Sequence, residues 1–335
     1  MARKLQRVVV TGATGFLGGA IARQLVADGV SVVGLGRNEA KGRALQEGGV
    51  EFKNCELSEV KQLRSAFEGV DTVIHSAALS SPWGRRRAFI SANVDGTRNV
   101  LDACADNSIG RLVHISSPSV YFSHEDGRDV TEDRPYADPP SNHYAESKIL
   151  AEKLVHGRPD ISTITIRPRA IFGPGDTTIL PRIIDSLQRK KLPIIGDGEN
   201  EANLTFIDNA VAGTILAATA DDSFSGRVYN LTDGEAVKLW AIIEEVCELL
   251  DLPKPARRIS INTAFRAAGV IEWIHRWLLF GAEPRLTRYS VTVVARTQTL
   301  SIDAARRDLG YAPEISTAEG LRRFVAWWKS GNASS

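Results

Sequence analysis

"RVVVTGATGFLGG", residues 7–19, runs from a β-branched stretch through three spaced glycines into an apolar stretch with helical spacing. The consecutive valines read as a buried strand and Phe16 to Asp28 as a helix, so Gly12, Gly15 and Gly18 fall on a strand-to-helix turn. A Cβ at Gly12 or Gly15 would obstruct the turn or the approach of a pyrophosphate to backbone N–H groups, and Gly18 lets the helix pack closely on the sheet. Thr14, Phe16 and Leu17 complete the turn, and the helix N-terminus that follows is placed to receive phosphates. The motif predicts a dinucleotide site. Its competitor is an ordinary glycine turn in an α/β protein.

Outward from this turn, "SVVGL" (31–35), "TVIHS" (72–76), "RLVHIS" (111–116) and "STITIR" (162–167) repeat the short β-branched run without polar alternation, as strands covered on both faces do. Helical patterns lie between them at 58–67, 86–105 and 144–155. The predicted fold is α/β, a doubly wound parallel Rossmann sheet followed by a smaller, mainly helical substrate domain. The dinucleotide domain is assigned residues 1–167 plus about 204–232, where "RVYNL" (227–231) reads as a further strand; the substrate domain takes about 168–203 plus 233–330.

The second strand ends "VVGLGRN" (32–38), with Gly36 where an acidic residue would accept the ribose hydroxyls of NAD, and Arg37 next to it. Losing that negative charge and gaining a guanidinium favours a 2′-phosphate. NADP(H) is the preferred cofactor, with NAD(H) possible and Arg37 as a solvated loop residue the competing reading.

"SNHYAESK" (141–148) places Tyr144 and Lys148 four residues apart, on one face of a helix. A phenol is too weak an acid or base at neutral pH, and a nearby ammonium favours its ionised form. "HISSPSVY" (114–121) supplies Ser116 and Ser117 at a strand's carboxyl end, where ligands of such sheets bind; Ser117 would share the substrate oxygen with Tyr144. Alone, a Tyr-x-x-x-Lys is a surface helix pair. Together with the glycine turn and the serines it becomes a candidate site.

These pieces, together with "DTVIHSAA" (71–78), "NVDGTRNVLDAC" (93–104), "IRPRAIFGPGD" (166–176) and "GDGENEANLTFIDN" (196–209), resemble the extended short-chain dehydrogenases/reductases of the NAD-dependent epimerase/dehydratase superfamily over nearly the whole length. The resemblance implies that Tyr144 is the catalytic acid/base, that Lys148 binds the nicotinamide ribose and lowers the tyrosine pKa, that Ser117 orients the substrate, and that Asn93 supports the proton relay. It also implies cofactor contacts from Ser116, Ala77, Ala78 and Pro168, with Glu56 beside the adenine and Leu57 next to it. Ala202 and Asn203 stand where sugar-nucleotide members carry a diphosphate-binding arginine, and Pro118 where a dehydratase carries an acid. The chain is more similar to the 3β-hydroxysteroid dehydrogenase and 2-alkyl-3-oxoalkanoate reductase branch. That implies an apolar keto or hydroxy substrate and a homodimer formed through the helices at 86–105 and at Tyr144.

Three other readings compete. A sugar-nucleotide epimerase or dehydratase would share the fold, a non-enzymatic NADPH sensor or subunit would not need the Tyr-Lys pair, and a serine hydrolase would need a Gly-x-Ser-x-Gly elbow that the chain lacks. Forty-one basic against 40 acidic residues give a net charge of +1, which argues against nucleic acid as a partner. Cys55, Cys104 and Cys247 lie far apart, suiting a reducing cytoplasm, and His75, His114 and His143 have no metal-ligand spacing, so no metal is expected. "RRR" (85–87) reads as a solvated turn, with a substrate carboxylate the alternative. In "AFRAAGVIEWIHRWLLF" (264–280), Val270, Ile271, Ile274, Trp277 and Leu278 form one helical stripe. Core packing is its plain reading; a lid, a peripheral membrane contact or a partner-enzyme contact are the alternatives. Trp327 and Trp328 read as packing residues.

Overall fold

A computed structural model describes residues 3–277, 282–284 and 286–331. Seven strands form the central sheet: β1 (Arg7–Thr11), β2 (Ser31–Gly36), β3 (Glu51–Asn54), β4 (Thr72–His75), β5 (Arg111–Ile115), β6 (Thr163–Pro168) and β7 (Val228–Leu231). All pairs are parallel, in the spatial order β3-β2-β1-β4-β5-β6-β7. The order reverses between β1 and β4, and that switch point opens the ligand crevice at the strands' carboxyl ends.

The helices are α1 (Phe16–Ala27), α2 (Glu39–Glu47), α3 (Val60–Ala66), α4 (Arg86–Phe89, then a π-helical turn Ile90–Asp95, then Gly96–Asp106), α5 (His143–His156), α6 (Leu180–Gln188), α7 (Ile207–Thr219), α8 (Leu239–Leu249), α9 (Ile261–Trp277), α10 (Arg288–Ala295), α11 (Asp303–Leu309) and α12 (Thr317–Lys329). One face of the sheet packs Val8, Val10 and Ile74 against Leu17, Ile21 and Leu25 of α1 and Ala210 and Ala217 of α7. The other packs Val9, Val33 and Val73 against Leu63 of α3 and Val100, Leu101 and Cys104 of α4. Buried on both sides, β1 has no place for polar alternation.

β3 and α2 are among the elements that escaped the sequence reading. β3 ("EFKN") is a half-exposed edge strand, and α2 is largely polar with Gly42 and Leu45 as its buried residues. Neither carries the continuous apolar run that marks the central strands.

After β6 the chain leaves the sheet for 169–227 and returns as β7, which pairs beside β6. The C-terminal region adds a four-stranded sheet (Val237–Lys238, Glu201–Ala202, Gln298–Leu300, Gly127–Val130) and a core built on Trp240, Ile243, Cys247, Ala264, Ala268 and Val291. Trp327 and Trp328 pack against Phe324, ring centroids 5.9 and 5.8 Å apart. The core reading of the 264–280 stripe fails at Val270 and Trp277, which are 60% and 68% exposed beside Trp273 at 58%, while Ile271 and Ile274 are half-buried. α9 makes its buried contact through Ala264 and Ala268, with Ile261 and Phe265 packed against the same core, and leaves its tryptophans on the outer side. Leu278 lies outside the described residues. Among the described residues no helix is long and apolar enough to cross a membrane. All three cysteines are buried free thiols.

Candidate active site

The glycine turn is required by close approach. Gly12 has φ +71°, and a Cβ there would lie 2.8 Å from Ala77 Cα; one at Gly18 would lie 2.3 Å from the Gly12 carbonyl oxygen. Gly15 caps α1 without a side-chain bond, so the first-turn N–H groups are left to a ligand. A Cβ at Gly36 would meet Thr14 Oγ1 at 2.5 Å. A cradle that any side chain would fill, at the N-terminus of a 12-residue helix, fits a dinucleotide's phosphates.

Beyond the end of β2, Arg37 is 77% exposed and stands 3.9 Å from the Glu56 carboxylate. Leu57 is carried against α4, where Asn99 Nδ2 donates to its carbonyl at 2.8 Å. On the side of β4, β5 and β6 the candidate site rests on the strand ends. His75 is buried between Thr11 Oγ1 at 2.8 Å and Thr97 Oγ1 at 3.0 Å, and Thr11 Oγ1 also accepts the Ala77 N–H at 3.2 Å. Ala78 is exposed beside it, and Pro168 is buried at the end of β6.

Asn93 sits in the π-helical turn of α4, a backbone form that concentrates at functional sites. Its amide donates to Ser147 Oγ at 2.8 Å and to the Leu79 carbonyl at 3.1 Å, and its carbonyl accepts the Leu79 N–H at 2.7 Å. Ser147 in turn donates to the Tyr144 carbonyl at 2.7 Å. Asn93 therefore clamps the segment after β4 to the tyrosine helix.

α5 begins at Asn142, whose side chain accepts the Ala145 N–H at 2.8 Å. This cap places the half-buried Tyr144 on the first turn, with its ring 6.5 Å from Phe89. Burial raises the Tyr144 phenol above its ordinary value, and hydrogen bonding from Ser117 and Ser80 opposes the rise. Ser117 and Tyr144 are thus brought together as expected, and Ser80 is an addition. The expected lowering by Lys148 is corrected. Lys148 is buried, its Nζ donates to the Ile115 carbonyl at 2.7 Å, and burial pulls its own pKa down to about 8 against the pull of Glu152.

Behind these groups lies a buried ionic network with no local sequence signal. Glu152, one helical turn beyond Lys148, accepts from Ser116 Oγ, from Arg167 Nε at 2.9 Å and from Tyr136 OH at 3.0 Å. Burial pushes its carboxyl up, but Arg167, Ser116 and Tyr136 hold it below the usual range. Arg167 also donates to the Tyr121 hydroxyl and stacks on its ring, 4.5 Å from the centroid. The Ser116 hydroxyl is therefore committed inward. Of the "RRR" run, Arg86 is not free in solvent: it pairs with Glu146 at 2.6 Å and ties α4 to α5. Arg85 lines a cavity of about 840 Å³ bounded by Trp83, Phe89, His143, Arg276 and Tyr289.

The family model for the NAD dependent epimerase/dehydratase family matches residues 8–232. A 2-alkyl-3-oxoalkanoate reductase of Stenotrophomonas maltophilia is 35% identical over 329 residues, covering 96% of this chain and 98% of that protein. A decarboxylating sterol-4-alpha-carboxylate 3-dehydrogenase of Mus musculus is 30% identical over 332 residues, covering 96% and 91%. Among solved structures, gox2253 superposes with a TM-score of 0.80 at 27% identity, covering 98% of this chain and 99% of that one. Cradle, strand order and relatives agree: the chain belongs to the NAD dependent epimerase/dehydratase family, as an oxidoreductase that acts on CH–OH groups with a nicotinamide cofactor.

Proposed function

We propose that the protein interconverts a ketone and a secondary alcohol on an apolar substrate, a 2-alkyl-3-oxoalkanoate or a 3β-hydroxysteroid type, with NADP(H). The observation that carries this reading is the convergence of Ser117 and Ser80 on the Tyr144 phenol, beside a cavity that Phe89 and Tyr289 line. A nicotinamide dinucleotide whose phosphates were held at the glycine cradle would supply or take the hydride at the carbon. Tyr144 donates its hydroxyl proton to the oxygen that becomes the alkoxide, and Ser117 donates a hydrogen bond to the same oxygen. Lys148, anchored on the Ile115 carbonyl, would present positive charge to the nicotinamide ribose, and the phenolate left on Tyr144 takes its proton back from solvent.

Arg37 supports NADP(H), since an exposed guanidinium next to Gly36 can turn from Glu56 to a 2′-phosphate. A sugar-nucleotide substrate is disfavoured by Asn203, a buried residue whose side chain is spent on backbone. It donates to the Glu235 carbonyl and accepts the Leu300 N–H, both at 2.6 Å.

The test is NADPH oxidation by the purified protein with a long-chain 2-alkyl-3-oxo acid and with a 3-oxosteroid, Tyr144→Phe serving as the blank. Tyrosine-dependent oxidation with either supports the reading. A protein that carries nicotinamide through purification and isomerises a sugar nucleotide without net NADPH consumption would replace it with the epimerase.

A further inference from the structure

Arg169 follows Pro168 at the carboxyl end of β6, on the edge where the site is built. It is 5% exposed, and its guanidinium lies over the Phe122 ring, 4.9 Å from the centroid. Nε donates to the Asn203 carbonyl at 3.1 Å. The two terminal nitrogens have no hydrogen-bond partner and no carboxylate within ion-pair reach among the described residues, yet neither is sealed from solvent. Arg167, two residues earlier, is the contrast, because Glu152 neutralises it inside the protein.

A buried cation without a counter-ion is costly, and the cost is relieved when an anion arrives. Burial pulls Arg169 down to about 10, with Tyr289 opposing. Tyr289 lines the cavity and packs against the apolar cluster that contains Phe122, the ring beneath the Arg169 guanidinium. Arg169 therefore stands behind the Tyr289 wall of the cavity.

We propose that Arg169 binds the carboxylate of a 3-oxo acid, holding it while the neighbouring ketone oxygen meets Tyr144 and Ser117. The proposal rests on the ketone–alcohol reading and narrows it to substrates with a carboxylate on the carbon next to the reacting one. A planar guanidinium with two free N–H edges matches a carboxylate in bidentate fashion. The glycine cradle at β1 offers the cofactor's phosphates a separate site. By their names, the substrates of the Stenotrophomonas and mouse relatives both carry a carboxylate on the carbon adjacent to position 3.

The experiment compares a long-chain 2-alkyl-3-oxo acid with its methyl ester, in wild type, Arg169→Met, Arg169→Lys and Arg85→Met, with NADPH. Wild type should favour the acid by about 10- to 100-fold in kcat/KM, expressed mainly in KM. Arg169→Met should collapse that ratio, Arg169→Lys should keep part of it, and Arg85→Met should leave it intact. Equal use of acid and ester by wild type, an equal loss on both in Arg169→Met, or collapse of the ratio in Arg85→Met instead would each overturn the proposal. A binding measurement separates this outcome from failure of the ketone reading: calorimetric titration of a long-chain 2-alkyl alkanoate and of the alcohol of the same chain into the NADPH complex. Arg169→Met should lose the alkanoate selectively, whether or not any ketone is reduced. Unchanged alkanoate affinity would sink the carboxylate site even if ketones turn over.

Discussion

At the scale of single residues, the site depends on the surroundings of Tyr144 more than on its distance from Lys148. Burial raises the phenol and the hydroxyls of Ser117 and Ser80 oppose the rise, so its surroundings set its acidity. Replacing it with Phe should lower kcat by about 10² to 10⁴ while cofactor affinity, read by fluorescence titration, stays within twofold. Arg37 makes a second local prediction. Arg37→Ala should weaken NADPH about tenfold, the loss of one charge-assisted contact, and leave NADH unchanged. Equal weakening of both would assign Arg37 to the protein surface alone. Tyr144, Lys148, Ser117 and the glycines were legible because their meaning lies in short spacings on one element. Ser80, Glu152 and Arg169 were not, because each acquires its role from a partner far along the chain or from lacking one.

At the scale of elements, α5 is the hinge of the design, with its Asn142 cap, Tyr144, Lys148 and Glu152 on successive turns. Glu152→Gln would leave Arg167 as an uncompensated buried charge and should cost about 3 to 5 kcal/mol in urea unfolding. Pairing it with Arg167→Met should recover much of that loss, whereas additive losses would mean that the two side chains do not act as one unit. The π-helical turn in α4 is an element-level feature that periodicity could not reveal, since "FISANVDG" reads as ordinary helix. What singles it out is Asn93, which lies in the turn and makes three side-chain bonds from it. β3 and α2 were missed for the opposite reason: at a sheet edge the burial that writes an apolar pattern is absent.

At the scale of the whole molecule, stability should depend on pH through the buried histidines. Burial, with Lys148 adding to it, pulls His75 down to about 3, and the same causes hold His114 well below its ordinary 6.5. Below pH 6.5 the unfolded chain takes up protons that the fold refuses, so each histidine removes about 1.4 kcal/mol per pH unit as acidity rises. Asp233 acts in the opposite sense. Burial pushes it up to about 6, so its penalty fades as pH falls from 6 towards 3.8. The urea midpoint should fall between pH 7 and pH 5, and less steeply in His75→Gln; identical slopes would place the acid sensitivity elsewhere. The parallel sheet was legible at this scale because six of its seven strands wrote their burial into sequence. The C-terminal region was less so, because α9 packs through alanines and leaves its tryptophans outside.

The return of the chain to the sheet as β7 bears on how such pockets are inherited. A single crossover near residue 168 would exchange the C-terminal wall of the cavity and the sheet's closing strand together, giving each hybrid a foreign edge beside β6. A junction placed after β7 instead carries that wall, with Glu272, Arg276, Arg288 and Tyr289, and keeps the native strand, while Trp83, Phe89 and His143 stay with the sheet, so half of any substrate preference travels and half remains.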